Sequence, residues 1–203
     1  MVTTDCWPSN GSASAHPPAD FPRQRRYEYI STLGEGTTSC VFLALDREVL
    51  RKRALKAPRP HAEGVYEYLI GGEAQLLASI DHPSVARFFT IDHDDDGRPF
   101  IVTEYCEGET LARLLTRRSL RRADALAIAE QLADILHVLH NDPAKILHLD
   151  VKPANIMVLD GNGPGRKIKL LDLGLGRATY RSQDDTGPQA MRGRALGGTK
   201  SEE

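Results

Sequence analysis

The sequence predicts an α+β protein in two parts: an antiparallel five-stranded region carrying one helix, then a mainly helical region with a small hairpin. Three observations predict it. Short apolar runs punctuated by Gly, Pro and Asp turns recur from Tyr27 to Glu104. One long stretch, "RADALAIAEQLADILHVLH" (122–140), repeats its apolar residues at helical spacing. Beyond it, two further apolar runs, "NIMVL" and "KIKLLDL", flank the loop "DGNGPGR".

The elements follow in order. Residues 1–26 are rich in Pro, Ser, Ala and Gly and are expected to form a disordered leader. "YEYISTLGEG" and "CVFLALD" read as two strands joined by a Gly/Thr/Ser turn, and "KRALKAP" as a third, stopped by Pro58 and Pro60. From about residue 64 to 79, apolar groups at Tyr66, Leu69, Ile70, Ala74, Leu77 and Ile80 suit an amphipathic helix that Gly71 and Gly72 weaken. "SVARFFTID" and "PFIVTEY" form a strand pair around the polar turn "HDDDGR". The long helix is expected to bury Leu126, Ala129, Leu132, Ala133, Leu136, Leu139 and His140 on one stripe and to end before Pro143. The expected parts are thus 27–105 and 106–203, behind the leader.

Bulk properties narrow the class. With 40% hydrophobic and 27% charged residues in 203, the composition is that of an ordinary soluble protein. A net charge of −2 gives no drive towards nucleic acid or an anionic membrane. Cys6, Cys40 and Cys106 are few and widely spaced, which argues for a reducing, cytoplasmic setting and against a disulfide framework or zinc site. The start of the chain lacks the basic and apolar regions of a secretory signal, and no apolar run approaches the ~20 residues that span a bilayer.

Four constellations carry chemistry. "LGEGTTSCV" (33–41) lies between two strands, where glycines let backbone N–H groups approach phosphate; the same glycines also fit an ordinary hairpin. Lys56 shares a strand face with Ala54, and a half-buried lysine needs an anionic partner, for which Glu73 on the first helix is the candidate. In "ILHLDVKPANIMV", Asp150 can orient a hydroxyl or take its proton, Lys152 can neutralise a transferring group, and Asn155 offers an amide oxygen to a hard cation such as Mg²⁺. Asp172 interrupts the apolar run of "LLDLG" and needs either an ion pair or a metal.

Taken in order, these stretches, with His82–Pro83 and "IVTEYCEG", resemble the protein kinase family, most closely the bacterial serine/threonine kinases of eukaryotic type. The resemblance runs from about Tyr27 to Gly174 and implies a two-lobed fold that binds ATP and Mg²⁺. It implies that Leu33, Gly34, Gly36, Val41 and Ala54 enclose the nucleotide. Lys56 would hold its α- and β-phosphates and pair with Glu73. Thr103 would stand behind the adenine, Glu104 and Cys106 would offer backbone hydrogen bonds to its edge, and Met157 would pack beneath. Asp150 would be the catalytic base, Lys152 would contact the γ-phosphate, and Asn155 and Asp172 would hold Mg²⁺.

The sequence departs from that family pattern at four places. Leu149 replaces the arginine between His and Asp, which puts control by activation-loop phosphorylation in doubt. Leu173 stands for Phe, and Ser39 for the third glycine. The chain also ends at Glu203, after "GGT" but before any Pro-Glu motif, so a C-terminally incomplete second lobe is expected, with an exposed apolar surface that favours self-association or a partner. The implied activity is phosphoryl transfer from ATP to Ser or Thr of an unidentified protein. The alternatives are an inactive fragment that binds nucleotide or a partner, and a small-molecule phosphotransferase, against which Lys152 and "GGT" speak. By position, Thr179, Ser182, Thr186 and Thr199 are candidate phosphorylation sites.

Overall fold

A computed structural model describes residues 16–59, 72–117, 119–141, 145–159, 166–172 and 177–178. Strand alternation builds its first half. Strands β1 (Tyr27–Glu35), β2 (Ser39–Asp46), β3 (Arg51–Pro58), β4 (Phe88–His93) and β5 (Pro99–Glu104) form one antiparallel sheet in the order β1-β2-β3-β5-β4. On one face Cys40, Phe42, Ala44, Leu55, Ala57, Phe100 and Val102 are buried together. The other face carries Val41, Leu43, Ala54 and Ile101; Ala74 and Leu77 of α1 (Ala74–Ser79) pack against Ile101 there. Because side chains alternate, this second face also presents Lys56, which pairs in register with Val41 on β2 and Ile101 on β5. The N-terminal part of the helix expected from residue 64 lies outside the described residues.

Residues 1–15 of the expected leader lie outside the described residues, whereas 16–26 are ordered. Residues 16–26 fold back over the first face, where Phe21 is buried against Tyr29 and Phe42, with ring centroids 5.2 and 5.5 Å away in edge-to-face geometry. The Gln24 amide donates to Asp92 at 3.0 Å, and the Arg23 carbonyl accepts from the Asp95 N–H at 2.8 Å. One aromatic side chain with an apolar surface to cover outweighs the Pro- and Ser-rich composition around it.

The second half begins with β6 (Gly108–Thr110), which pairs with β8 (Ile156–Leu159); β9 (Ile168–Leu170) completes this three-stranded sheet. Gly108 is obligatory: at φ 151° a Cβ would lie 2.2 Å from the Val158 carbonyl oxygen. Helix α2 (Leu111–Arg117) and the long α3 (Arg122–Asn141) follow. Two-residue strands β7 (Ile146–Leu147) and β10 (Arg177–Ala178) pair with each other, and a short 3-10 turn spans Pro153–Asn155.

The long helix stands where expected, but its buried stripe has a different phase. Ile128, Ile135 and Leu139 are buried with Leu114, Ile146, Ile156 and Ile168, and Leu132 packs against them. Leu126, Ala129, Ala133 and His140 are exposed instead. Apolar residues occupy more than half of the helix circumference, and the sheet takes the side bearing the two isoleucines. Ile135→Ala should therefore lower the unfolding free energy by about 2–5 kcal/mol, whereas Leu126→Ala should change it by less than about 0.5 kcal/mol. Urea denaturation of both variants checks this, and equal losses would contradict the packing.

Candidate active site

The second face of the large sheet and the loops around β8 and β9 enclose a partly open cleft, mostly apolar in its lining with a few charged groups converging on it. Its roof is Gly34, Gly36, Ser39 and Val41; Ala54 and Lys56 come from β3; Thr103 and Glu104 come from β5; Asn155 and Asp172 form the floor with Ala154 and Leu171. Glu73, Leu77 and Ile101 close the inner end behind Thr103.

Lys56 is the centre of charge. Its Nζ donates to Glu73 Oε1 and Oε2 at 2.7 and 2.8 Å and to Asp172 Oδ1 at 2.7 Å. The Glu73 side chain is 1% exposed and that of Lys56 15%, so neither charge is stable there alone. Burial opposes the Lys56 charge, but Asp172 and Glu73 outweigh it and raise its pKa. Burial pushes Glu73 up to about 7; Lys56 pulls it down, and Asp172 pushes it up. The two shifts thus differ in origin: the carboxylates raise Lys56 against burial, whereas burial first, and Asp172 second, raises Glu73.

The loop between β7 and the 3-10 turn is held from within. His148 is buried; its Nε2–H donates to the Leu171 carbonyl at 3.2 Å, and its Nδ1 accepts the Asp150 N–H at 3.3 Å. The Asn155 amide donates to the Asp150 carbonyl at 2.9 Å and to its Oδ2 at 3.0 Å. Lys152 Nζ lies 2.8 Å from the same Oδ2, and the Asn155 carbonyl accepts the Leu171 N–H at 2.8 Å. Thus the Asp150 loop and the Asp172 loop are stitched together. Leu149 and Asp172 take left-handed conformations, at φ 61° and 52°, which non-glycine residues adopt only under such constraint.

The remaining expected residues divide into two groups. Glu104 lines the cleft, while its carboxylate is held by Lys169 at 2.5 Å and its N–H by the Arg87 carbonyl at 2.8 Å. Asp150 and Lys152 adjoin the cleft through Asn155 without lining it, and Leu33, Cys106 and Met157 do not line it either. Leu33 packs with Leu43 and Ala54, and Met157 and Cys106 are buried beneath the lining residues Ala86 and Leu171. Burial pushes the Cys106 thiol up to about 12. Leu173 and the four tail hydroxyls lie outside the described residues. Sequence reasoning missed Leu77, Ala86, Ile101, Ala154 and Leu171 in the lining. Ile101 was findable, since alternation puts it on the face of Thr103.

Comparison with known proteins matches residues 27–194 to the family described as the protein kinase domain. The serine/threonine-protein kinase PrkC of Bacillus subtilis is 33% identical over 156 residues, covering 75% of this chain and 23% of that protein. PknB of Mycobacterium leprae, also a serine/threonine-protein kinase, is 34% identical over 176 residues, covering 84% of this chain and 27% of its own length. The serine/threonine-protein kinase ULK3 of Xenopus laevis is 32% identical over 180 residues, covering 86% and 36%. The chain thus spans from under a quarter to little more than a third of the length of these relatives.

The raised Glu73 pKa has a signed consequence. Between its ordinary value of 4.5 and about 7 the folded state binds more protons than the unfolded one, so the Glu73 contribution to stability declines as pH rises through that window. Glu73→Gln removes the titration. The stability of wild type relative to Glu73→Gln should therefore be greater at pH 5 than at pH 8 in paired denaturation curves; a difference growing with pH would contradict it.

Proposed function

The chain belongs to the protein kinase family, and on that premise we propose that it transfers the γ-phosphoryl group of ATP to serine or threonine hydroxyls of a protein. The observation that carries this reading is the convergence of Lys56, Asn155 and Asp172, from three separate stretches of sequence, on one cleft roofed by Gly34 and Gly36, with Asp150 hydrogen-bonded to Asn155 beside it. The serine/threonine kinases among the relatives support the choice of acceptor.

On this reading the protein's work is positioning and charge neutralisation. Val41, Ala54 and Thr103 offer an apolar slot for a base, and the Glu104 carbonyl a polar edge. The Lys56 ammonium, fixed by Glu73, reaches towards phosphate. Asp150 is restrained by Asn155 and Lys152, so its carboxylate can orient an acceptor hydroxyl and take its proton. Lys152, beside it, offsets negative charge on the group being transferred. Asn155 and Asp172 fit a divalent cation: with the Asn155 amide nitrogen committed to Asp150, its oxygen and the Asp172 carboxylate supply hard oxygen ligands of the kind Mg²⁺ takes. Bound there, Mg²⁺ would neutralise phosphate oxygens.

Two further parts of the proposal concern setting. Cys40 and Cys106 are free, buried thiols, which supports a reducing, cytoplasmic environment, and no described helix is long and apolar enough to cross a membrane. Leu126 and Val138 are exposed apolar side chains on α3, which supports contact of this helix with a second copy or a partner.

The test of the reaction is phosphate incorporation from labelled ATP and Mg²⁺ into a Ser/Thr peptide library. Asp150→Asn should lower the rate by about 10²- to 10⁴-fold. Incorporation equal in wild type and variant, or confined to tyrosine, would overturn the proposal.

A further inference from the structure

Arg59 follows β3 by one residue, three positions after Lys56, and belongs to none of the recognised motifs. It nevertheless binds the glycine turn twice. Its Nε donates to the Gly36 carbonyl at 2.8 Å, and its backbone N–H donates to the Thr38 carbonyl at 2.9 Å. A third contact, Nη2 to Glu35 Oε2, is longer at 3.4 Å. The other side of the guanidinium is anchored in the N-terminal segment: Nη1 donates to Asp20 Oδ2 at 3.0 Å, and the same oxygen accepts the Cys40 thiol at 3.7 Å. Asp20 is held in turn because Phe21, its neighbour, is buried in the outer face of the sheet.

The arrangement has a direction. Gly36 lines the cleft, whereas Arg59 and Asp20 do not, so the guanidinium grips the turn from outside. In a trans peptide the C=O and the next N–H share a plane and point opposite ways. Fixing the Gly36 carbonyl on Arg59 therefore turns the Thr37 N–H away from Arg59. Fixing the Thr38 carbonyl does the same for the Ser39 N–H, and Ser39 also lines the cleft. A glycine turn left to itself samples many backbone conformations, and its N–H groups hold an anion only when their orientation is set beforehand.

We propose that Arg59, anchored by Asp20, is a positioning residue that holds the Gly36–Ser39 turn ready for the phosphates of the nucleotide. This rests on the reading of the cleft as an ATP site. It makes residues 16–26 part of the nucleotide-binding apparatus, although they lie outside both the cleft and the stretch that matches the family.

Direct binding of ATP with Mg²⁺ and of adenosine, measured by calorimetry on the full chain, separates the possibilities. Wild type should bind ATP more tightly than adenosine; no such preference would refute the phosphate-site reading itself. Given that preference, Arg59→Ala should weaken ATP about tenfold, the scale of one charge-assisted hydrogen bond, and leave adenosine within twofold. Arg59→Lys, which keeps the charge but cannot span Gly36 and Asp20 together, should fall between. Asp20→Ala should weaken ATP in the same selective way by a smaller factor. Equal loss of ATP and adenosine in Arg59→Ala and Arg59→Lys would mean a general structural role, and unchanged ATP binding in both would mean none; either outcome overturns the inference.

Discussion

The structure depends on one ammonium group. Lys56 lies on a central strand, Glu73 at the start of a helix and Asp172 just after the last strand of the second sheet, and the three meet within 2.8 Å. Lys56 and Glu73 are poorly solvated, so neither charge sits there without the other, and Asp172 reaches the same ammonium from the more exposed side. The ion pairs span 17 and 116 positions of sequence. They join the sheet, the helix and the second half of the chain at the point where the cleft needs a fixed positive charge. The carboxylates raise the Lys56 pKa against burial, and burial raises that of Glu73 against its ammonium partner.

A second constraint acts on the floor. The His148 imidazole links the Asp150 N–H to the Leu171 carbonyl, and Asn155 holds Asp150 by its side chain and Leu171 by its carbonyl. These bonds over-determine the two loops, and so they sustain left-handed backbone at Leu149 and Asp172 that free peptides would avoid. Leu149 therefore has a backbone role independent of its side chain, which projects exposed into solvent. The loop keeps its shape without any charged group at that position.

Much of this was legible because local rules carried it. Alternation placed Ala54 and Lys56 on one face, while it was the family resemblance that implied a common site for Asp150, Asn155 and Asp172. What stayed hidden needed three dimensions. An electrostatic argument for Lys56 found Glu73 as partner, but that Asp172 shares the same Nζ depends on how the second half folds under the first. The phase of α3 was misread because leucines and alanines offered a second plausible stripe, and only the position of the sheet shows that Ile128 and Ile135 face it. Phe21 was lost in a compositional average over residues 1–26. Arg59 carried no signal at all, since an arginine after a strand and a proline is ordinarily a solvated end.

The charges of the cleft bear on what it can bind. At the end proposed to take phosphate, Lys56 and Lys152 face Glu73, Asp150 and Asp172, one carboxylate more than there are ammonium groups. Where the family pattern has an arginine in this loop, Leu149 adds no positive charge. A triphosphate entering alone would meet a site that the protein has not made cationic. The Coulomb cost of like charges a few ångströms apart in a partly buried cleft is several kcal/mol. Backbone N–H groups of the glycine turn offset part of it, which is why their orientation by Arg59 matters. On the proposed reading the rest would fall to a divalent cation on Asn155 and Asp172. On the proposed reading, then, metal dependence is not an added refinement of catalysis; it follows from the carboxylates that hold Lys56 and Asp150 in place.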